Sequence, residues 1–185
     1  MLLLLLLLLV ACVAPSTTVA TSTPSQIVLL GNGEPELALA AKELRRYVYA
    51  TSSAFPAIIH RGTVSAESSA DVGAVRSDVL VVGTAASLAA FGGLEDAEDV
   101  VERIRIAGSD AHGRVCHSSG AMVLVGATPL AVLYAAYDWA SSDLGVYFAI
   151  DGDRIPRRGV ASRVAAANCT EMLSQPQFGR RGTVP

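Results

Sequence analysis

The sequence predicts an α+β domain, in which a mixed, partly antiparallel sheet of about five to seven strands carries two main helices. Short apolar runs bounded by Gly or Asp recur along the chain and are typical of buried strands. Two longer segments repeat apolar residues at helical spacing, and each begins at a proline. Arg103–Ile106 alternates polar and apolar residues, which suits a strand with one solvent-facing side. The same order of elements also fits a doubly wound α/β domain.

The first strand and the first helix follow each other closely. Ile27–Leu30 is an apolar run that ends at Gly31, which predicts a buried strand. Pro35 stands where the first helical residue is expected. The apolar residues of this helix fall on one face, which predicts that it covers the sheet: Leu37, Ala40, Ala41, Leu44, Tyr47 and Val48.

The middle of the chain predicts strands joined by polar stretches. The polar segment Arg61–Ser77 is predicted to be an exposed loop, and Ala85–Phe91 a short helix. Ser109–Ser119 is predicted to be irregular, with a short strand near Val115. Apolar runs of strand length predict three more strands: Phe55–Ile59, Val79–Val82 and Met122–Val125.

The second main helix has a marked start and a marked end. Thr128 is predicted to cap it, Pro129 to occupy its first turn, and Gly145 to end it with a positive φ. Val146–Ile150 predicts a last strand, followed by a turn at Asp151–Asp153. The buried stripe of the helix is predicted to contain Leu133, Ala136, Tyr137 and Ala140.

The two ends of the chain define the predicted domain boundaries. The leucine run Leu2–Leu9 has the length of a signal-peptide core and is too short to span a membrane, which needs about 20 apolar residues. We predict a signal peptide at 1–20, a flexible lead-in at 21–25, one domain at 26–156 and a linker at 157–185. A lipoprotein with Cys12 as the lipidated residue and an uncleaved anchor are alternatives. Each interpretation places the domain outside the cytoplasm.

Composition and motifs argue against nucleic acid and nucleotides as partners. The formal net charge of −3 leaves no basic surface for nucleic acid. Gly31–Gly33 follows a strand as a dinucleotide loop does, but the third glycine of that motif falls on Glu36. A carboxylate there repels a pyrophosphate, so we predict a plain turn.

Neither a metal site nor another cofactor site is predicted. His112, Cys116 and His117 lie close in sequence, but a zinc site needs three or four ligands in tetrahedral geometry, and the remaining histidine, His60, lies at a strand end. The acidic turn at Asp151–Asp153 lacks the glutamate of a calcium-binding loop.

No residue is predicted to be catalytic. Glycosidases need two carboxyl groups about 5–10 Å apart across a cleft. The carboxylates on the helices and their ends do not single out such a pair: Glu34, Glu36, Glu43, Asp138 and Asp143.

Two modifications are compatible with a secreted chain. Cys116 and Cys169 either form a disulfide or remain separate thiols. Asn168 begins an Asn-Cys-Thr sequence, which is a possible N-glycosylation site in a eukaryotic host.

Six motifs in order resemble the non-catalytic N-terminal domain that precedes the barrel in alpha-glucuronidases and related glycoside hydrolases. The N-terminal domain of beta-N-acetylhexosaminidases is similar to that domain. The longest motif is Gly126–Trp139, which resembles the Leu-Tyr-Ala-x-Tyr helix of that domain and the turn before it. The others are Ala40–Tyr47, Asp78–Thr84, Glu102–Ile106, Leu144–Phe148 with Ile155–Pro156, and Gln175–Gly182.

The resemblance implies an accessory domain of a secreted hydrolase that acts on xylan or another polysaccharide. Its partner is a C-terminal TIM barrel, which is expected to begin near Thr183 and to contain the catalytic carboxylates. We expect the face toward that barrel to be marked by exposed apolar residues such as Trp139 or Phe178. The alternative is a stand-alone extracellular binding or interaction module without enzymatic activity.

Overall fold

The computed structural model describes residues 23–62, 77–91, 94, 97–156 and 171–174. They form a mixed sheet of six strands with helices on both faces, and a separate two-stranded hairpin. This confirms the predicted α+β class with a partly antiparallel sheet. The predicted leader, Asn168, Cys169, Phe178 and Thr183 lie outside the described residues.

The described elements follow the predicted order except that a helix replaces the strand predicted at Arg103–Ile106 and two strands are added near the C-terminus. The helices are α1 (Pro35–Ser52), α2 (Ala85–Phe91), α3 (Glu98–Ala107) and α4 (Pro129–Leu144). The strands are β1 (Gln26–Leu30), β2 (Ala57–Arg61), β3 (Val79–Thr84), β4 (His112–Cys116), β5 (Met122–Gly126), β6 (Tyr147–Ala149), β7 (Gly152–Arg154) and β8 (Met172–Ser174).

The sheet has the order β2-β1-β3-β5-β4-β8. The first four strands in this order are parallel, whereas β4 runs antiparallel to both of its neighbours, β5 and β8. Because β4 begins opposite Gly126, the last residue of β5, its first residue His112 lies at the edge where the parallel strands end. Ser174 of β8 lies opposite His112, so the described chain ends at the same edge.

Each face of the sheet has its own apolar core. On one face, α1 and α4 pack against each other and cover β1, β3 and β5, with Tyr47, Leu44 and Leu124 fully buried. On the other face, α2 and α3 cover a smaller core that includes Val81, Val123 and Ile104. The two main helices therefore pack on the sheet as predicted.

The predicted ends of α4 are confirmed. The Thr128 hydroxyl accepts a hydrogen bond from the main-chain N–H of Ala131 at 3.2 Å, which satisfies a helix donor that otherwise has no partner in the helix. Gly145 ends the helix with φ of 68°, a conformation that glycine adopts without steric cost. The strand β6 begins two residues after Gly145, at Tyr147.

Three predictions about the described elements differ from the structure. Arg103–Ile106 is part of α3 and not a strand, because Val100, Val101 and Ile104 are buried at helical spacing. Met172–Ser174 was assigned to the linker, and it instead forms an edge strand that pairs with β4. The turn predicted at Asp151–Asp153 is displaced: the chain turns at Ile150–Asp151, and Gly152 and Asp153 already belong to β7.

Among the described residues, no helix is both long enough and apolar enough to cross a membrane.

Candidate functional site

The turn after β1 is poorly suited to phosphate binding. The main-chain N–H of Asn32 donates a hydrogen bond to Oε2 of Glu34 at 2.8 Å. This carboxylate brings negative charge into the loop at the start of α1, where a pyrophosphate would have to approach. The geometry agrees with the plain turn predicted for Gly31–Gly33.

The histidines and cysteine considered for a metal site point to different surroundings. His112 begins β4, whereas His117 lies in the following turn and its Nδ1 contacts the Ser119 hydroxyl at 2.8 Å. Within the part of the chain that the structure describes, no three His, Cys, Asp or Glu side chains are grouped so that they could hold a metal ion.

His112 is a buried polar residue at the edge of the sheet. Its side chain is 6% exposed, and its Nε2 lies 2.8 Å from Oδ2 of Asp138 on α4. Its Nδ1 lies 2.8 Å from the main-chain oxygen of Asp110. The ring also packs near Tyr134, with 5.9 Å between the ring centroids.

Both ring nitrogens of His112 face oxygen atoms that accept hydrogen bonds. A carbonyl and an ionised carboxylate cannot donate, so both contacts are hydrogen bonds only if the ring carries two protons. Burial opposes the charged ring, but the hydrogen bonds to Asp138 and to the Asp110 carbonyl outweigh it and raise the pKa of His112. The geometry therefore indicates an imidazolium that ties β4 to α4.

A second ion pair extends this contact along α4. Arg114 of β4 donates to Oδ2 of Asp143 and, at 2.9 Å, to the Ser142 hydroxyl. Burial lowers the pKa of Arg114, while the Asp138 carboxylate acts in the opposite direction. Arginine keeps its charge under such conditions. We name His112, Asp138, Arg114 and Asp143 the β4–α4 ionic cluster.

The β4–α4 ionic cluster is suited to holding elements together. Both ring nitrogens of His112 are hydrogen-bonded to oxygen atoms of neighbouring elements. The Arg114 side chain is only 13% exposed and its partner Asp143 18% exposed. The cluster therefore fixes the position of α4 over β4.

A second polar cluster holds the β6–β7 hairpin onto the outside of α1. The Tyr47 hydroxyl donates to Oδ2 of Asp153 at 2.6 Å, and Nη2 of Arg46 donates to the same oxygen at 2.6 Å. Nη2 of Arg46 also lies 2.7 Å from Oε2 of Glu43. We name these four residues the hairpin lock.

The hairpin lock brings two carboxylates together without forming a glycosidase pair. The Arg46 guanidinium bridges Glu43 and Asp153, so the space between the two carboxylates is occupied. The Tyr47 hydroxyl and the Arg46 guanidinium hold the pKa of Asp153 below its usual range, whereas a catalytic acid needs a raised pKa.

The hairpin carries two strongly exposed apolar side chains. Tyr147 is 63% exposed and Ile150 is fully exposed. Phe148 instead anchors the hairpin, with its ring 5.7 Å from that of Tyr47 and 5.1 Å from that of Tyr137. Trp139, which was expected to be exposed, is only 6% exposed because it packs into the core between α4 and the sheet.

Asp153→Ala is expected to loosen the hairpin while the sheet stays intact. The change removes the acceptor shared by Tyr47 and Arg46. Amide exchange in Tyr147–Arg154 should become roughly fivefold faster, as expected from the loss of hydrogen bonds worth about 1 kcal/mol. Exchange in β3 and β5 should not change.

Asp151→Ala is the matched control in the same hairpin. The Asp151 carboxylate is exposed and pairs with the exposed Arg154, at 3.6 Å. Equal acceleration by both variants would show that the hairpin lock does not hold the hairpin.

Cys116 is disulfide-bonded. It ends β4, beside β8, and the proposed partner Cys169 lies outside the described residues. Pairing with Cys169 stays a prediction, which mass spectrometry of unreduced peptides tests. A peptide pair joining Cys116 to Cys169 is expected, and a free thiol at Cys169 would contradict it.

No protein-family model matches the chain, and the comparison with curated proteins finds no match. The resemblance to the N-terminal domain of glycoside hydrolases therefore depends on its motifs alone. The function that follows from it is a proposal.

Proposed function

We propose that this chain is the non-catalytic N-terminal accessory domain of a secreted glycoside hydrolase of the alpha-glucuronidase type. In the intact protein it would support breakdown of xylan or a related polysaccharide by a C-terminal barrel. The chain itself is proposed to be inactive, since the β4–α4 ionic cluster and the hairpin lock hold its own elements together.

The sheet topology supports this proposal over a nucleotide-binding domain. Strand β4 runs opposite to the other five strands, so two of the five strand pairings are antiparallel, whereas a dinucleotide-binding sheet is mostly parallel. The carboxylate of Glu34 also faces the loop where a phosphate would bind.

The observation that carries the proposal is an incompletely covered apolar surface on the side where the described chain ends. Leu173 of β8 packs into the core beneath α2 and α3, and Glu171 pairs with Arg103 of α3 at 3.0 Å. On the same side, Ile106 is 69% exposed, and an open groove separates α2 from α3. A domain that follows β8 would meet this side of the molecule first.

The test is to sequence the transcript through and beyond Pro185. A continuing reading frame that encodes a barrel with paired carboxylates is expected. Hydrolysis of glucuronic acid side groups from xylan should then need both carboxylates. A stop codon directly after Pro185 would overturn the accessory-domain assignment.

The exposed hairpin favours a second candidate, a stand-alone extracellular binding module. Tyr147 and Ile150 point outward on a hairpin that the hairpin lock holds in place. Exposed aromatic side chains on a rigid support suit a protein or glycan partner. This candidate predicts that the isolated chain binds xylan oligosaccharides or a protein, and that Tyr147→Ser abolishes binding while Tyr49→Ser, at another exposed tyrosine, does not.

A further inference from the structure

The turn between β1 and α1 contains an asparagine that is followed directly by a glycine. Asn32 and Gly33 are both exposed and belong to neither a helix nor a strand. Gly33 has φ of 95°, and a Cβ placed on it would meet no other atom within 4 Å. Among the described residues, none accepts a hydrogen bond from the main-chain N–H of Gly33. The nitrogen that follows Asn32 therefore lies at the surface and outside the secondary structure.

An exposed Asn-Gly pair can lose the asparagine amide by reaction with its own main chain. The Gly33 nitrogen gives up its proton to solvent and attacks Cγ of Asn32. The new N–C bond closes a succinimide ring, and the side-chain nitrogen leaves as ammonia. Water then opens the ring at either carbonyl group, which gives an aspartate or an isoaspartate at position 32. Glycine favours the ring closure because it has no Cβ to obstruct it, and asparagine is among the thermolabile residues.

The connection that holds this pair is short and packed on its inner side. Gly31–Glu34 alone joins the end of β1 to the start of α1. A Cβ at Gly31 would lie 2.5 Å from Cδ1 of Leu37 and 2.7 Å from Oε2 of Glu34. The same Glu34 oxygen accepts a hydrogen bond from the Asn32 N–H at 2.8 Å. An isoaspartate adds one carbon atom to the main chain, which such a connection accommodates only by moving.

The first hydrogen bond of α1 begins in this connection. The Ala38 N–H donates to the Glu34 carbonyl oxygen at 3.1 Å. Glu34 is the N-cap residue of α1, but its side chain makes no capping bond to the helix. Its position therefore depends on the connection from β1, including the bond from Asn32. A longer main chain at position 32 displaces Glu34 and weakens the bond from Ala38.

We propose that Asn32 is a site of spontaneous deamidation and that the isoaspartate product loosens the first turn of α1. Water is the only co-reactant, and ammonia is the leaving group. Because the Gly33 nitrogen must first lose a proton, the reaction is faster in alkaline buffer. This inference concerns the turn alone and does not depend on the proposed function.

The test of the modification follows the peptide that contains Asn32 by mass spectrometry, in the folded full chain and in the urea-unfolded chain. In mildly alkaline buffer the folded chain should convert amide to acid within about tenfold of the unfolded rate, because an exposed turn opens at almost no cost in free energy. An isoaspartate methyltransferase should label the same peptide, since direct hydrolysis of the amide gives aspartate alone. Asn32→Gln should remove both signals. A folded chain that does not convert, or converts without isoaspartate, would overturn the proposal.

The effect on α1 is tested on the isoaspartate form after its separation by chromatography. Amide exchange at Ala38 should be roughly fivefold faster than in the parent chain, the size expected for one lost hydrogen bond. Asn32→Asp is the matched control, because it carries the same charge on an unaltered main chain and should exchange like the parent. Parent-like exchange in the isoaspartate form, or equal acceleration in Asn32→Asp, would refute the effect of the longer main chain.

Discussion

Gly126→Ala is expected to destabilise the domain by about 3 kcal/mol or more, a large share of the stability of a small domain. Gly126 ends β5 and is the first residue of the motif that leads into α4. An added Cβ would lie 2.5 Å from the carbonyl carbon of Ala131 and closer still to the main-chain nitrogen of Val132. These are main-chain atoms of the first turn of α4, so relief requires that the whole helix moves away from the sheet.

Urea unfolding followed by circular dichroism measures this effect. The matched control is Gly62→Ala, where the nearest atom to an added Cβ is Oδ1 of Asn32 at 4.0 Å. Gly62→Ala should leave the unfolding midpoint close to that of the parent chain. A parent-like midpoint for Gly126→Ala would mean that α4 does not approach β5 as closely as described.

The central strands and the two main helices could be predicted because their signals are local. Val79–Val82 and Met122–Val125 are buried on both faces, which imposes an unbroken apolar run on the sequence. The starts of α1 and α4 are marked by Pro35 and Pro129, whose fixed φ suits a first helical turn.

The elements that were missed depend on distant partners. The four residues Arg103–Ile106 alternate between polar and apolar, as in a strand. The apolar residues Val100, Val101 and Ile104, however, recur at helical spacing, and this spacing determines the structure. Met172–Ser174 is only three residues long and is a strand solely because β4 offers it an unpaired edge. No local pattern distinguishes such a segment from a linker.

The polar clusters could be predicted only in part. Tyr47 was placed on the buried face of α1, which is correct for its ring, but the partner of its hydroxyl, Asp153, lies 106 residues later. His112 and Asp138 were each identified as side chains of interest, and they are 26 residues apart on different elements. Their contact follows from the antiparallel direction of β4 and from the packing of α4 across it. No sequence motif predicts either of these two features.

His112→Gln is expected to remove a pH-dependent part of the stability. The pKa of His112 is raised in the folded protein above its unfolded value of about 6.5. Its contribution is therefore fully present below pH about 6.5 and is lost as the pH rises through the folded pKa. The charged groups around the ring are Asp138 on α4, Asp110 in the preceding loop and Arg114 on β4, with Tyr134 beside it.

The expected size of the effect follows from burial. Replacing a side chain that is 6% exposed and makes two hydrogen bonds should cost about 1–3 kcal/mol at pH 5.5, because the Asp110 carbonyl and the Asp138 carboxylate lose their donor. At pH 8.5 the difference between the parent chain and the variant should be smaller, because the neutral ring keeps a proton for only one of the two acceptors.

Urea unfolding of the parent chain, His112→Gln and His60→Gln at pH 5.5 and 8.5 tests this prediction. His60 is exposed on the edge strand β2, so His60→Gln should retain the pH dependence of the parent chain. The parent chain should lose more stability between the two pH values than His112→Gln does. If the three proteins lose the same amount, the ring of His112 is not the charged link between β4 and α4, and its contacts with Asp110 and Asp138 do not both form in solution.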